Sequence, residues 1–258
     1  MPPFDFGAVA VIDGTELKLT PLRTANVPPP AALYDIEISG NVVDVAFNAD
    51  CSSVAVLHGK GLSVYDWKIV GKTSSEPELV GRFTFAKSDL IPSVPQQISF
   101  GTNGEILCLV CEDGTEAVIR RYAFAADTGR IAESSIAHSA DESLTAISSF
   151  VQNGTVVPFL QSSSGRLEDL SGLPLVDIGF PNSLPHVEIM QQNESNIAFG
   201  LSHTGSLYAN SKLLVKNCTS FILTPAHLIF TTTTHFIKFI HITNLEGKFQ
   251  AVSMKVND

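Results

Sequence analysis

The stretch Val42-Val43-Asp44-Val45-Ala46-Phe47-Asn48-Ala49-Asp50, followed by Ser53-Val54-Ala55-Val56-Leu57 and Gly61-Leu62-Ser63-Val64-Tyr65-Asp66-Trp67, decides the fold. It reads as three short strands separated by polar turns. Its apolar and polar side chains alternate with the period of two that a half-buried sheet requires. This is the layout of one blade of a β-propeller. A blade cannot bury both of its faces alone, so the rest of the chain must supply neighbours with the same layout.

Those neighbours can be read on both sides. Upstream, Gly7 to Ile12 and Glu16 to Leu22 pair across the Asp13-Gly14 turn, a strong short hairpin signal, and Leu33 to Ile38 follows the extended Pro28-Pro29-Pro30 segment. The quoted blade gains a fourth strand at Leu79 to Phe85, reached across the polar loop Gly71 to Glu76, which is expected to be mobile. A second set follows at Gln97 to Phe100, Glu105 to Cys111, Ala117 to Phe124 and Arg130 to Ile136. The third runs from Leu144 to Phe150, Thr155 to Gln161 and Arg166 to Leu170, with a weaker strand at Leu175 to Phe180. The fourth is His186 to Met190, Asn196 to Ser202, Ser206 to Ala209 and Lys212 to Val215. The fifth is Thr219 to Leu223, His227 to Thr232, Phe236 to Ile242 and Phe249 to Met254. Starts recur about every 35 to 50 residues, as blades of four strands do.

The expected fold is therefore all-β: a WD40-like β-propeller with about six four-stranded blades in a single domain. The blade portions fall at roughly 1–40, 41–86, 95–137, 142–181, 185–216 and 217–258. Five sets plus the strands before Ile38 make a little under six blades, and closed rings commonly have about seven or eight. The chain is thus expected to be an incomplete part of a larger propeller that starts in mid-blade, with strand edges needing cover.

Composition agrees. Of 258 residues, 44% are hydrophobic and only 16% charged, with 18 Gly and 14 Pro, which suits short strands and tight turns. Mean hydropathy is +0.20, yet Thr, Ser, Gly, Asp or His interrupts every apolar run well before the ~20 residues that span a bilayer, so no membrane partner is expected. Met1-Pro2-Pro3-Phe4-Asp5-Phe6 lacks the basic and apolar regions of a secretory signal, and an intracellular protein is expected. A net charge of −10 opposes simple nucleic-acid binding, which needs clustered Lys and Arg. Only Arg120-Arg121 stands out, and on a strand the two point to opposite faces, one expected to be solvated and the other paired.

The chemical motifs dissolve on inspection. Cys108-Leu109-Val110-Cys111 has metal-pair spacing but lies in an apolar strand, where residues three apart face opposite ways; Cys51 and Cys218 stand alone. Four scattered cysteines read as small buried thiols in a reducing compartment. His235 and His241, an even number of residues apart, are expected on one strand face as hydrogen-bonded polar residues with no third ligand. Glu168-Asp169 and Glu112-Asp113 are adjacent pairs that diverge on a strand, and Asp113 precedes Gly114 in a turn. The sequons at Asn153, Asn193 and Asn217 read as turn chemistry. Asp44 and Asp66 are expected to bond local backbone at blade turns, and Trp67 to fill space between sheets. Cys51 stands where such repeats commonly place Gly. No catalytic, cofactor-binding or metal-ligating residue is nominated, and no cofactor or small-molecule substrate is expected.

Two segments carry a family resemblance. Leu19-Thr20-Pro21-Leu22-Arg23-Thr24-Ala25-Asn26-Val27-Pro28-Pro29-Pro30, with Leu33-Tyr34 and Ser63-Val64-Tyr65-Asp66-Trp67, resembles the second propeller of the largest subunit of the Elongator complex (the IKAP family) in a fungus. Ile197-Ala198-Phe199-Gly200-Leu201, Asn217-Cys218-Thr219-Ser220-Phe221 and Leu228-Ile229-Phe230-Thr231-Thr232-Thr233 resemble its closing blades. The resemblance implies a non-catalytic scaffold in transfer-RNA wobble-uridine modification, located in the cytoplasm and also the nucleus. The implied partners are other Elongator subunits, namely the catalytic radical-SAM acetyltransferase subunit and the second WD40 subunit, with transfer RNA reached through the complex. The family's helical dimerisation region and its basic RNA-contacting stretch map onto no residue here. Alternatives from the residues themselves are a propeller contacting RNA directly, a WD40 peptide-binding scaffold outside Elongator, and a propeller hydrolase with carboxylates around a channel.

Overall fold

The computed structural model describes residues 8–22, 25, 27, 31–70, 73–85, 97–112, 116–125, 128–136, 143–192, 195–244 and 252–255. The chain divides into two compact units, residues 1–160 with 169–172, and residues 161–168 with 173–258. Gly7, Pro28 to Pro30, Gly71, the Asp113-Gly114 turn, Asn193 and Phe249 lie outside the described residues.

The first unit opens with β1 (Ala8–Asp13), β2 (Glu16–Pro21) and β3 (Tyr34–Glu37), antiparallel in that order. β4 (Val42–Phe47), β5 (Ser53–His58) and β6 (Gly61–Asp66) are the quoted stretch, with β7 (Ile69–Val70) and β8 (Thr73–Ser74) as a small hairpin before β9 (Glu78–Thr84) closes the sheet β4-β5-β6-β9. β10 (Gln97–Phe100), β11 (Ile106–Glu112), β12 (Glu116–Ala125) and β13 (Arg130–Ile136) form the next four-stranded sheet. β14 (Leu144–Gln152) and β15 (Thr155–Ser162) follow across Asn153-Gly154. Both turn residues have positive φ, 51° and 79°, the requirement that makes Asn-Gly a favoured two-residue hairpin turn. β4, β10 and β14 lie side by side as innermost strands, and β1 lies against β4 as β5 lies against β10. β1 therefore holds a second-strand position, and among the described residues no innermost strand precedes it.

The core sits in the seams between sheets. Along β5, Val54 and Val56 pack with Leu17, Leu19 and Trp67 on one side, while Ala55 and Leu57 pack with Ile98, Phe100 and Ile106 on the other. β11 repeats the division: Ile106 and Cys108 face back to that seam, and Leu107 and Leu109 face forward to Ile147 and Leu160. Half-burial, expected for the whole quoted stretch, therefore holds only for β4, where Val43 is 40% exposed. β5 and β6 are covered on both faces, which is why they read as nearly continuous apolar runs. Full burial of each such Leu, Val or Phe contributes about 1.5–3 kcal/mol.

The loop expected to be mobile is tied down where it is described. The Tyr34 hydroxyl donates to the Ser74 carbonyl at 2.8 Å, and Trp67 Nε1 donates to the Ser75 carbonyl at 3.1 Å. Trp67 is fully buried against Tyr34 and Phe47, with ring centroids 6.4 and 6.2 Å away. In the turn after β4, Cys51 stands where such repeats commonly place Gly and adopts φ 58°, the left-handed conformation a Gly would take freely. Asn48 and Asp50 hold it there, with the Ser53 N–H donating to Asn48 Oδ1 at 2.9 Å and the Ser52 N–H to Asp50 Oδ1 at 3.0 Å.

The second unit contains β16 (Leu167–Glu168), then the sheet of β17 (His186–Gln192), β18 (Ser195–Leu201), β19 (Leu207–Ala209) and β20 (Lys212–Val215). The last sheet is β21 (Cys218–Leu223), β22 (His227–Thr232), β23 (Phe236–His241) and β24 (Val252–Lys255). Phe199, Leu207, Phe221, Leu228, Phe230 and Ile240 share one buried cluster between them. No strand occupies Leu175 to Phe180; only the bridge Glu168–Pro174 stands in that region. Pro174 has no N–H to extend a ladder and Pro181 blocks the far end, so the alternating apolar residues between them form a loop instead.

Candidate functional site

Asp44, read from sequence as a local turn residue, does more. Its Oδ1 accepts from the Val45 N–H at 2.9 Å, and its Oδ2 accepts from the Ile98 N–H of β10, also at 2.9 Å. The carboxylate thus clamps the innermost strand of one sheet to that of the next. Gln97 repeats the device one sheet on, its Oε1 accepting from the Ile147 N–H of β14 at 2.8 Å. The equivalent position on β14 is Ala146, so the series ends there. Burial raises the Asp44 carboxyl above the ordinary carboxylate range, opposed by the two backbone hydrogen bonds. Each clamp satisfies backbone donors that would otherwise be left wanting near the inner edge of the sheets.

A second buried polar pair lies on β5 and β6. His58, 1% exposed, accepts the Lys60 N–H at Nδ1 (3.3 Å), which leaves Nε2–H to donate to Ser63 Oγ at 3.1 Å. The ring is fixed in one neutral tautomer. Burial, with Arg82 and Lys60 adding positive charge nearby, lowers its pKa to about 4.

The remaining residues singled out from sequence are spread over separate strands and turns. Cys108 is fully buried and its thiol is pushed far up by burial; the side chain of Cys111 lies outside the described residues. Cys51 and Cys218 are each raised to about 11, again by burial. Arg120 and Arg121 do face opposite ways: Arg120 is largely covered, with Nη1 2.9 Å from Glu133 Oε1, while Arg121 has a side chain 42% exposed to solvent, its Nε 3.5 Å from Glu105 Oε1. His235 is not on a strand face with His241. It sits in the turn before β23 at φ 60°, while His241 ends the strand. The partner of His241 is instead His227, directly across the ladder with ring centroids 4.9 Å apart, a pairing that needs the β22–β23 register to be seen. Glu168 pairs with Arg166 at 2.5 Å, and Asp169 caps its own turn through Ser171. Asn217 adopts φ 63° as a turn residue.

Two open clefts stand out among the described residues. One, about 470 Å³, lies in the first unit at the turns following three innermost strands and is lined by Asn48, Asp50, Thr102, Gly104, Gly154 and Thr155. Burial raises the Asp50 carboxyl, but hydrogen bonds from Ser52, its own backbone N–H and Asn48 together more than offset this and hold it below the ordinary range. The other, about 480 Å³, lies in the second unit and is lined by His186, Ser202, His203, Thr204, Asn217 and Thr219 among others. There Ser202 Oγ is engaged with Thr204 Oγ1 at 2.9 Å, and His186 Nε2 lies 3.3 Å from Glu188 Oε1. Neither cleft joins a nucleophile to a base, and no group of three metal-ligating side chains occurs among the described residues. No described helix is long and apolar enough to cross a membrane.

Comparison with known proteins agrees with this arrangement. The chain is 27% identical over 255 residues to Elongator complex protein 1 of Schizosaccharomyces pombe, covering 97% of this chain and 20% of that protein. It is 27% identical over 267 residues to Elongator complex protein 1 of Saccharomyces cerevisiae, covering 96% of this chain and 19% of that protein. The chain thus spans about a fifth of the length of these relatives. A crystal structure of a functionally unknown protein from Desulfotomaculum acetoxidans shares the fold, with a TM-score of 0.56 at 15% identity, over 96% of this chain and 80% of that one. Residues 11–258 match the family described as the ELP1 N-terminal second beta-propeller, and with its seam-packed blades the chain belongs to that family.

Proposed function

We propose that this chain is a non-catalytic scaffold portion of the Elongator complex and supports transfer-RNA wobble-uridine modification through protein contacts. Family membership over residues 11–258 carries the reading. The structure supports it physically. β5 and β11 use both faces in adjacent seams, and Asp44 and Gln97 lock innermost strands together, which makes a stiff support whose turns and outer loops stay available. The partners proposed are the catalytic radical-SAM acetyltransferase subunit and the second WD40 subunit, with transfer RNA engaged through the complex in the cytoplasm. With Arg120 and Arg121 both engaged by carboxylates and a net charge of −10, direct RNA contact is disfavoured. We take the whole chain as a single propeller domain divided into the six blade portions set out above.

The test is a pulldown of the tagged chain from lysate of its own organism, with bound proteins identified by mass spectrometry. Recovery of other Elongator subunits supports the reading. Their absence, with the chain folded, overturns it for this portion.

A further inference from the structure

Between β16 and β17 the second unit carries a loop, residues 173–185, that is held as firmly as a strand without being one. The Leu175 N–H donates to the Leu167 carbonyl at 2.9 Å and the Phe180 N–H to the Gly165 carbonyl at 3.0 Å. Gln161 Oε1 accepts from both the Leu184 N–H (2.7 Å) and Ser183 Oγ (2.8 Å), and Asn196 Nδ2 donates to the Leu175 carbonyl at 3.1 Å. Gly179 lies so close to Gly165 that a Cβ there would meet the Gly165 carbonyl oxygen at 2.6 Å. Val176, Phe180 and Leu184 are buried beneath the loop.

The same anchoring turns two apolar side chains outward. Leu173 and Ile178 are each 63% exposed. Large apolar groups on a pre-ordered backbone lose little further freedom on docking, which is the property of an interface anchor. Asp177, exposed beside Ile178, is the one charged residue in segment 173–185, and the chain as a whole carries −10. We infer that this loop is a protein-docking knob: Leu173 and Ile178 enter an apolar groove whose rim is basic, on another subunit of the complex. This rests on the scaffold reading above. The acidic knob selects a Lys- or Arg-rimmed groove by charge, and salt screens that part of the attraction.

The test places a photo-crosslinking amino acid at position 178 of the full-length polypeptide within the assembled complex. An adduct on one other subunit, at apolar residues flanked by Lys or Arg, is the expected result. Leu173→Asp combined with Ile178→Asp should lower retention of that subunit at least ten-fold with Tm unchanged. Asp177→Lys should weaken it several-fold, and Ile222→Asp, at a position 59% exposed on β21, should leave it intact. Adducts confined to this chain, to a second copy of it or to nucleic acid overturn the inference, as does undiminished retention by the double variant. If the unaltered full-length polypeptide assembles no complex, the scaffold reading itself has failed.

Discussion

Lowering the pH from 7 to 5 should remove about 2 kcal/mol of stability from the first unit through His58 alone. In the folded chain the ring is buried, its Nδ1 lone pair is occupied by the Lys60 N–H, and its pKa lies at about 4. Unfolded, it returns to the ordinary histidine value of about 6.5. The folded state therefore binds fewer protons than the unfolded state at every pH between these values. Stability from this source is complete above about 6.5, and falls as pH drops through that value until it levels off near the folded pKa of about 4. The two values give a loss of about 2 kcal/mol at pH 5 and a total of about 3 kcal/mol in more acid solution. Asp44, whose carboxyl is raised by burial, works in the opposite sense: its protonation stabilises the fold on further acidification. Comparison with His58→Gln isolates the histidine, because Asp44 is common to both proteins. Urea unfolding followed through the single Trp, which lies buried beside β5, should show the unaltered chain losing about 2 kcal/mol more than the variant over this range. Equal pH dependence in both, or a His58 ring titrating near 6.5 by NMR, would refute the reasoning.

Other perturbations follow from the same geometry. Asp44→Ala should destabilise by about 2–4 kcal/mol in chemical denaturation, because two backbone N–H groups lose their acceptor, whereas Asp44→Asn keeps an acceptor and should cost about half as much. Gln97→Ala removes one acceptor, from the Ile147 N–H, and should cost about 1–3 kcal/mol in the same assay. Cys51→Gly relieves a left-handed backbone and should gain up to about 1 kcal/mol, read as a rise in Tm of about 2–4 °C; a fall would mean the half-buried thiol matters more than the backbone. Trp67→Ala should cost about 3–5 kcal/mol by calorimetry and free the β7–β8 hairpin to proteolysis, since the indole both fills the seam and holds the Ser75 carbonyl.

What could be read in the sequence, and what could not, divides along a physical line. Strand and turn alternate by local rules, so Asn153-Gly154 and the β4-β5-β6 stretch announce themselves. Leu175 to Phe180 misled because apolar residues can be buried under a loop as well as in a ladder, and the flanking prolines decide between the two. β7 and β8 are two residues each, too short to show a period. Cys51 shows that backbone hydrogen bonds donated to Asn48 and Asp50 can hold a non-glycine residue where such repeats commonly place Gly. The candidate functional features were harder still. The Asp44 carboxylate and the Ile98 amide are 54 residues apart, and nothing local to either marks the bond. His227 and His241 meet only once β22 and β23 are in register.

The two-sided strands also bear on how such a domain can change over time. Val54 and Val56 answer to one neighbouring sheet while Ala55 and Leu57 answer to the other, so consecutive residues of β5 are fitted to different surroundings. A blade lifted from this chain would carry two unmatched half-seams, and one inserted from elsewhere would have to fit two hosts at once. Each sheet thus drifts in step with both of its flanks, and the ancestral repeat survives as spacing long after its letters have diverged. Exchange and growth are left to the turns and outer loops, where a new residue has one surrounding to satisfy.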